Sequence, residues 1–134
     1  MGMSKIIDIP CFTDCDGKLG LLESEQIQGF SLNRFFFIKG VPEGAMRANH
    51  ACMNANLVLI AVNGKVTVSV EEKHLSVYHL DTDTKAVYVP KASWVKAYDF
   101  SKDAILICFS DRRYDSCDYI SDYEEYRRKT GKSY

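Results

Sequence analysis

Residues 57–70 read LVLIAVNGKVTVSV, and no other stretch limits the fold as much. Two β-rich runs flank Asn63-Gly64, residue types that both tolerate the positive φ of a tight hairpin turn. In the second run valines alternate with Thr67 and Ser69, so one face of that strand is buried and the other polar. Similar short runs follow: LSVYHL (75–80), AVYV (86–89), WVKAYDF (94–100) and AILICF (104–109). The segments EEK, DTDTK and SKD turn the chain between them, and Pro90 ends one run. Upstream lie LGLLES (19–24) and the aromatic run FSLNRFFFIKGV (30–41), which reads as a strand. Gly40, Pro42 and Gly44 then break the chain. About seven to ten short strands at this spacing predict an all-β sandwich or barrel. One helix is predicted at the end, over DYEEYRRK. Ser121 and Glu124 have capping-box spacing, and acids precede bases as the helix dipole prefers. Tyr123 or Tyr126 is expected to pack this helix onto the barrel.

A chain of 134 residues is expected to form one domain, 1–134, with enough core to fold without disulfides or a structural metal. With 17 basic and 18 acidic residues the formal net charge is −1, which calls for neither nucleic acid nor a membrane surface. The basic cluster Arg127, Arg128, Lys129 and Lys132 reads as a solvated tail. The first ten residues lack a secretory pattern, and the run Leu57–Val62 is too short to span a bilayer. The five cysteines therefore read as reduced thiols of a cytoplasmic protein. Cys11 and Cys15 have no second pair to complete a zinc site. Cys108 sits in an apolar run and reads as core.

The chemistry concentrates in GAMRANHACMNANLVLIAVNG, residues 44–64. On a strand His50 and Cys52, two apart, point the same way. The spacing Gly44-x5-His50-x-Cys52-x4-Leu57-x6-Gly64 resembles the first motif of the cupin superfamily, whose barrels carry metal ligands there. In this chain Cys52 stands at the second histidine position and Leu57 at the glutamate position, and VPKASWVKAYDF offers no histidine. One of four expected ligands remains, so no metal and no cofactor is expected. His74 and His79 read as surface or edge residues.

Nearly the whole chain is similar to the dTDP-4-keto-6-deoxyglucose 3,4-ketoisomerases, the WxcM-like sugar cupins. The segments that carry the likeness are DGKLGLLES, FSLNRFFFIKGV, Arg47–Ala51, VNGKVTVSV, YVPKASWVKAYDFS and FSDRRYDSCDYISDYEEY. The resemblance implies a cupin (jelly-roll) β-barrel with a short C-terminal helix, and a homodimer in which strand 30–41 is exchanged or lies at the interface. It also implies a dTDP-linked keto-deoxy sugar as ligand, for deoxyamino-sugar and polysaccharide biosynthesis. The reaction implied moves a keto group between C4 and C3 through an enediol, which needs a base, an acid and oxyanion donors.

The departures fall on the pocket. The family typically reads R-G-x-H-A-H-K where this chain reads RANHACM. The usual glutamine is Leu57, the usual tyrosine pair is Phe36-Phe37, and the usual arginine before the early glycine is Asp16. Glu23, Arg34, Arg47, His50, Trp94, Asp99 and Tyr114 are retained. His50 is the candidate base. Cys52 is a candidate relay or second base, its thiol lowered by Arg47 or a protonated His50, or else a small apolar filler. Arg47 has forked donors suited to phosphate. Arg34 reads as a ligand contact or as part of a structural or interface ion pair. Trp94 and Tyr98 read as stacking on thymine, lining the sugar site, or packing, and Phe37 as ligand-lining or, with Phe36, core. Two other readings stay open: an isomerase or epimerase for a different nucleotide sugar, and a non-catalytic or regulatory nucleotide-sugar-binding cupin.

Overall fold

A computed structural model describes residues 3–131. The strands are β1 (Lys5–Asp8), β2 (Cys11–Asp14), β3 (Gly17–Gly20), β4 (Arg34–Lys39), β5 (Arg47–Cys52) and β6 (Leu57–Asn63). They continue as β7 (Val66–Glu71), β8 (Leu75–Leu80), β9 (Lys85–Val89), β10 (Ser93–Tyr98), β11 (Ile105–Ser110) and β12 (Tyr119–Ile120), followed by helix α1 (Tyr123–Thr130). One sheet runs β1-β9-β6-β11-β4 and the other β12-β5-β10-β7-β8, with β2-β3 a separate hairpin. The pairings are antiparallel. This is the all-β sandwich with one C-terminal helix that the strand spacing predicts. The aromatic run is shorter than expected as a strand: β4 begins at Arg34, because Phe30 bonds back to Ile27 and Asn33 to Ser110 in the approach loop. β1, β2 and β12 lie outside the runs read as strands.

The inner faces of both sheets make one core. Leu57, Leu59, Ala61, Val87, Val89, Leu106 and Cys108 come from the first sheet, and Cys52, Val66, Val68, Val70, Val95 and Ala97 from the second. LVLIAV is apolar throughout because both of its faces are covered. Val58 and Ile60 turn outward, under Ile9, Ile27 and Phe30 from the N-terminal segment. On the outside of the second sheet Trp94 and Ala51 pack beneath α1 with Tyr126 and Ile120. Tyr126 is 0% exposed, and its hydroxyl donates to the carbonyl of Ala92 at 2.8 Å. Both expected tyrosines pack, since Tyr123 also meets Trp94, at 5.1 Å between ring centroids. The helix cap is Asp122 rather than Ser121: its carboxylate accepts from the amides of Glu124 and Glu125. An aspartate one residue closer satisfies two orphan amides by itself. Of the basic cluster, Arg127, Arg128 and Lys129 lie on the last turn of α1, and Lys132 lies outside the described residues.

Candidate active site

The site rests on an irregularity in the middle of β5. Ala48 and Asn49 hold left-handed φ values of 66° and 62°, where the register against β10 shifts. Asparagine adopts that region readily and alanine does not. Such strain persists only where the surroundings enforce it, and bulges re-aim side chains. Here Trp94 Nε1 donates to Asn49 Oδ1 at 3.1 Å and holds the bulge from outside. Past the bulge His50 pairs with inward-facing Val95, Ala51 turns to the helix, and Cys52 returns to the core.

Arg34 opens β4 on its inner face. Its Nη2 donates to the Tyr119 hydroxyl at 2.8 Å. Its guanidinium lies 4.6 Å from the ring centre of Phe36 and 5.2 Å from that of Tyr114. Among the described residues Arg34 forms no ion pair. Tyr119, on β12, is the cross-strand partner of Cys52. The Tyr119 ring stands edge-on to His50, with centroids 4.8 Å apart. Arg34 and Tyr119 are therefore a hydrogen-bonded pair, with Cys52 across the strand from Tyr119 and the His50 ring against it.

Burial sets the protonation of this group. Desolvation lowers the His50 pKa below 6.5; the residue's own backbone opposes this and the Arg34 charge adds to it, so the imidazole is neutral at neutral pH. Its Nδ1 is buried without a hydrogen-bond partner. Burial pushes the Cys52 thiol up to about 11, Asp118 adding to the effect while Tyr119 and Arg34 oppose it. The expectation of a lowered thiol is therefore corrected. Arg47 lies about 15 Å away at the other end of β5, given a strand's rise per residue. His50, which is nearby, is uncharged. Cys52 remains a thiol at neutral pH and cannot serve there as a second base. Tyr119 is also raised, first by burial, with the Arg34 hydrogen bond opposing. A neutral imidazole beside a guanidinium-backed phenol can take a proton from carbon and support the oxyanion that results. Among the described residues no group of His, Cys, Asp and Glu side chains converges as metal ligands.

Of the seven candidates, the structure brings together Arg34, His50 and Cys52. Phe37 faces outward and is 56% exposed, while its neighbour Phe36 lines the interior. Trp94 is 3% exposed and packed between the sheet and α1. Tyr98 pairs with Thr67 on the outer face of the second sheet, opposite in parity to the core residue Ala97. Arg47 is exposed. Strand alternation thus separates Phe37, Trp94 and Tyr98 from the interior cluster, and distance separates Arg47. The sequence reading missed Tyr119, although the segment Tyr-Asp-x-x-Asp-Tyr-Ile held it in view.

Known proteins resemble this chain over nearly its whole length. The family model FdtA: WxcM-like, C-terminal, matches residues 2–131. The TDP-4-oxo-6-deoxy-α-D-glucose-3,4-oxoisomerase of Aneurinibacillus thermoaerophilus is 27% identical over 130 residues, 96% of this chain and 94% of the relative. The TDP-fucose-3,4-ketoisomerase WlaRA of Campylobacter jejuni superposes with a TM-score of 0.87 at 26% identity, over 95% of both chains. The TDP-quinovose 3,4-ketoisomerase WlaRB of the same organism gives 0.87 at 26%, over 93% of this chain and 97% of its own.

Proposed function

This chain belongs to the FdtA (WxcM-like, C-terminal) family, and we propose that it is a TDP-sugar 3,4-ketoisomerase of deoxysugar biosynthesis that uses His50 as its base. The observation that carries this reading is the neutral, half-buried imidazole with a partner-free Nδ1 beside the Arg34–Tyr119 donor pair. His50 takes the proton from C3 of a 4-keto sugar. The C–H electron pair forms a C3–C4 double bond, and the C4 carbonyl oxygen becomes an enolate. Tyr119, with Arg34 behind it, donates to that oxygen. Return of a proton to C4 and loss of the O3 proton give the 3-keto product. No cofactor enters these steps. The two Campylobacter relatives are equally similar yet are named for different hexoses, so the hexose taken by this chain is open.

Incubation with TDP-4-keto-6-deoxyglucose in deuterated water, followed by NMR, is expected to show loss of the C3 proton and growth of a 3-keto species. The rate should be flat at neutral pH and fall as pH drops through a value below 6.5, where His50 takes up its proton. No rise near the ordinary thiol pKa of about 8.5 is expected, because Cys52 ionises only at about 11. An unchanged spectrum at high protein concentration would move the assignment to a binding cupin or to another sugar.

The reading includes a homodimer. Phe35 and Phe37 are 53% and 56% exposed on the outer face of the first sheet, against Phe109. Leu32 and Val62 are also exposed. The β2–β3 hairpin flanks an apolar groove of about 330 Å³ lined by Ile60, Ile107 and Phe109. A second copy covering this face would remove a patch that monomers rarely leave in water. Sedimentation equilibrium should give twice 15.2 kDa, and Phe37→Glu should shift the mass toward the monomer. A monomeric parent chain would reject the dimer. The reading also takes the cytoplasm as the site of action; among the described residues no helix is long and apolar enough to cross a membrane.

A further inference from the structure

Among the described residues two side-chain atoms are buried without a hydrogen-bond partner, Nδ1 of His50 and Oγ of Ser93. Ser93 pairs with Cys52 across β5 and β10, and Cys52 pairs with Tyr119 across β5 and β12. Tyr119, Cys52 and Ser93 thus form one row across the second sheet, all on the inner face, and His50 lies one step along β5. Directly opposed residues hold their Cβ atoms about 5 Å apart, and diagonal ones about 7–8 Å. Ser93 is 2% exposed, so water outside the protein does not satisfy its hydroxyl. A buried hydroxyl left unpaired has given up its hydrogen bonds to water without replacement. A fold retains such a group at little cost only when something else pairs with it.

We propose that Ser93 is a ligand-directed residue whose hydroxyl bonds an oxygen of the sugar seated over Cys52, between the Tyr119 hydroxyl and His50. This rests on the ketoisomerase reading and adds to it a specificity contact on β10. The small Cys52 side chain stands between the two hydroxyl-bearing residues of the row. Serine, as both donor and acceptor, suits a sugar hydroxyl or the enediol that forms from it.

The test is Ser93→Ala, a change of one atom at a buried position. If the hydroxyl serves only the fold, alanine removes an unpaired polar atom. The melting temperature then holds or rises, and affinity and exchange stay at the parent level. If Ser93 contacts the sugar, the melting temperature again holds or rises. Affinity for TDP-4-keto-6-deoxyglucose and the rate of C3 exchange then fall roughly tenfold, the loss of one hydrogen bond. Affinity for TDP alone, which lacks the sugar, should be unchanged. A tenfold loss for the sugar nucleotide with TDP unaffected supports the proposal. Equal loss for both ligands, or no loss for either, overturns it. If the parent protein neither binds the sugar nucleotide nor exchanges the proton, the ketoisomerase reading fails, and this contact fails with it. The parent arm therefore separates the two failures.

Discussion

His50→Asn is expected to cut C3 proton exchange by about 10²–10⁴ while leaving the barrel folded. Asparagine keeps a hydrogen-bonding side chain of similar reach but has no nitrogen lone pair that can accept a proton from carbon. The fold has little reason to suffer, because Nδ1 makes no hydrogen bond in the native structure. The ring's contact with Tyr119 is an edge contact at 4.8 Å, worth about 1 kcal/mol. The melting temperature should therefore move by only a few degrees, and TDP should still protect the variant. The acid limb of the pH profile should vanish with the imidazole, since no other group in the cluster titrates just below 6.5. Cys52 and Tyr119 are both shifted upward, away from that range. Exchange within about threefold of the parent rate would place the base elsewhere and overturn the role given to His50. Loss of exchange with the acid limb retained in the residual rate would do the same.

The folding pattern was legible where the signal is local. Period-two valines and the dipeptide Asn63-Gly64 mark β6, β7 and the turn between them, but the expected hairpin does not form: β6 lies in the first sheet between β9 and β11, β7 lies in the second between β8 and β10, and of the dipeptide Gly64 alone takes a positive φ. His50 and Cys52 were legible as inward neighbours because residues two apart on a strand share a face. What stayed hidden was parity. Nothing near Phe36-Phe37 says which ring faces inward. That choice is made by pairing with β11, where Phe36 meets Cys108 about 70 residues away. Trp94 invites a reading as a stacking residue, but its parity puts it under α1, whose tyrosines cover it. Tyr119 was missed for the same reason. Its strand is two residues long, and its importance arises from pairing with Cys52, 67 positions earlier in the chain. The reading of the thiol erred because adjacency in sequence stood in for adjacency in space. Arg47 is near Cys52 along the chain and far from it along the strand, so burial rather than a neighbouring cation sets the thiol.

Gly64→Ala is expected to be the most damaging single change to the fold, lowering stability by about 3 kcal/mol or more. Two penalties act together. Gly64 has φ +72, a conformation that costs a residue with a Cβ about 1–2 kcal/mol. A Cβ there would also meet the side chain of Ser101, Asp103 Oδ1 at 2.7 Å and the backbone Cα of Ala104 at 2.7 Å. The backbone atom cannot swing away, because the two turns are docked. Lys65 donates its amide to Ser101 Oγ at 2.8 Å, Ser101 donates its own amide to the Lys65 carbonyl at 2.9 Å, and Asn63 Nδ2 donates to the Asp103 carbonyl at 2.8 Å. Seating a methyl group means prising the β6–β7 turn off the β10–β11 turn and losing these bonds. For a domain of this size each kcal/mol is about 3–5 °C of melting temperature, so a fall on the order of 10 °C or more is expected. Gly64→Asn separates the causes. Asparagine tolerates the dihedral far better than alanine but carries the same Cβ. If the contact dominates, the asparagine variant melts nearly as low as the alanine variant. If asparagine recovers most of the loss, the dihedral alone is responsible and the docking of the two turns is looser than the distances indicate.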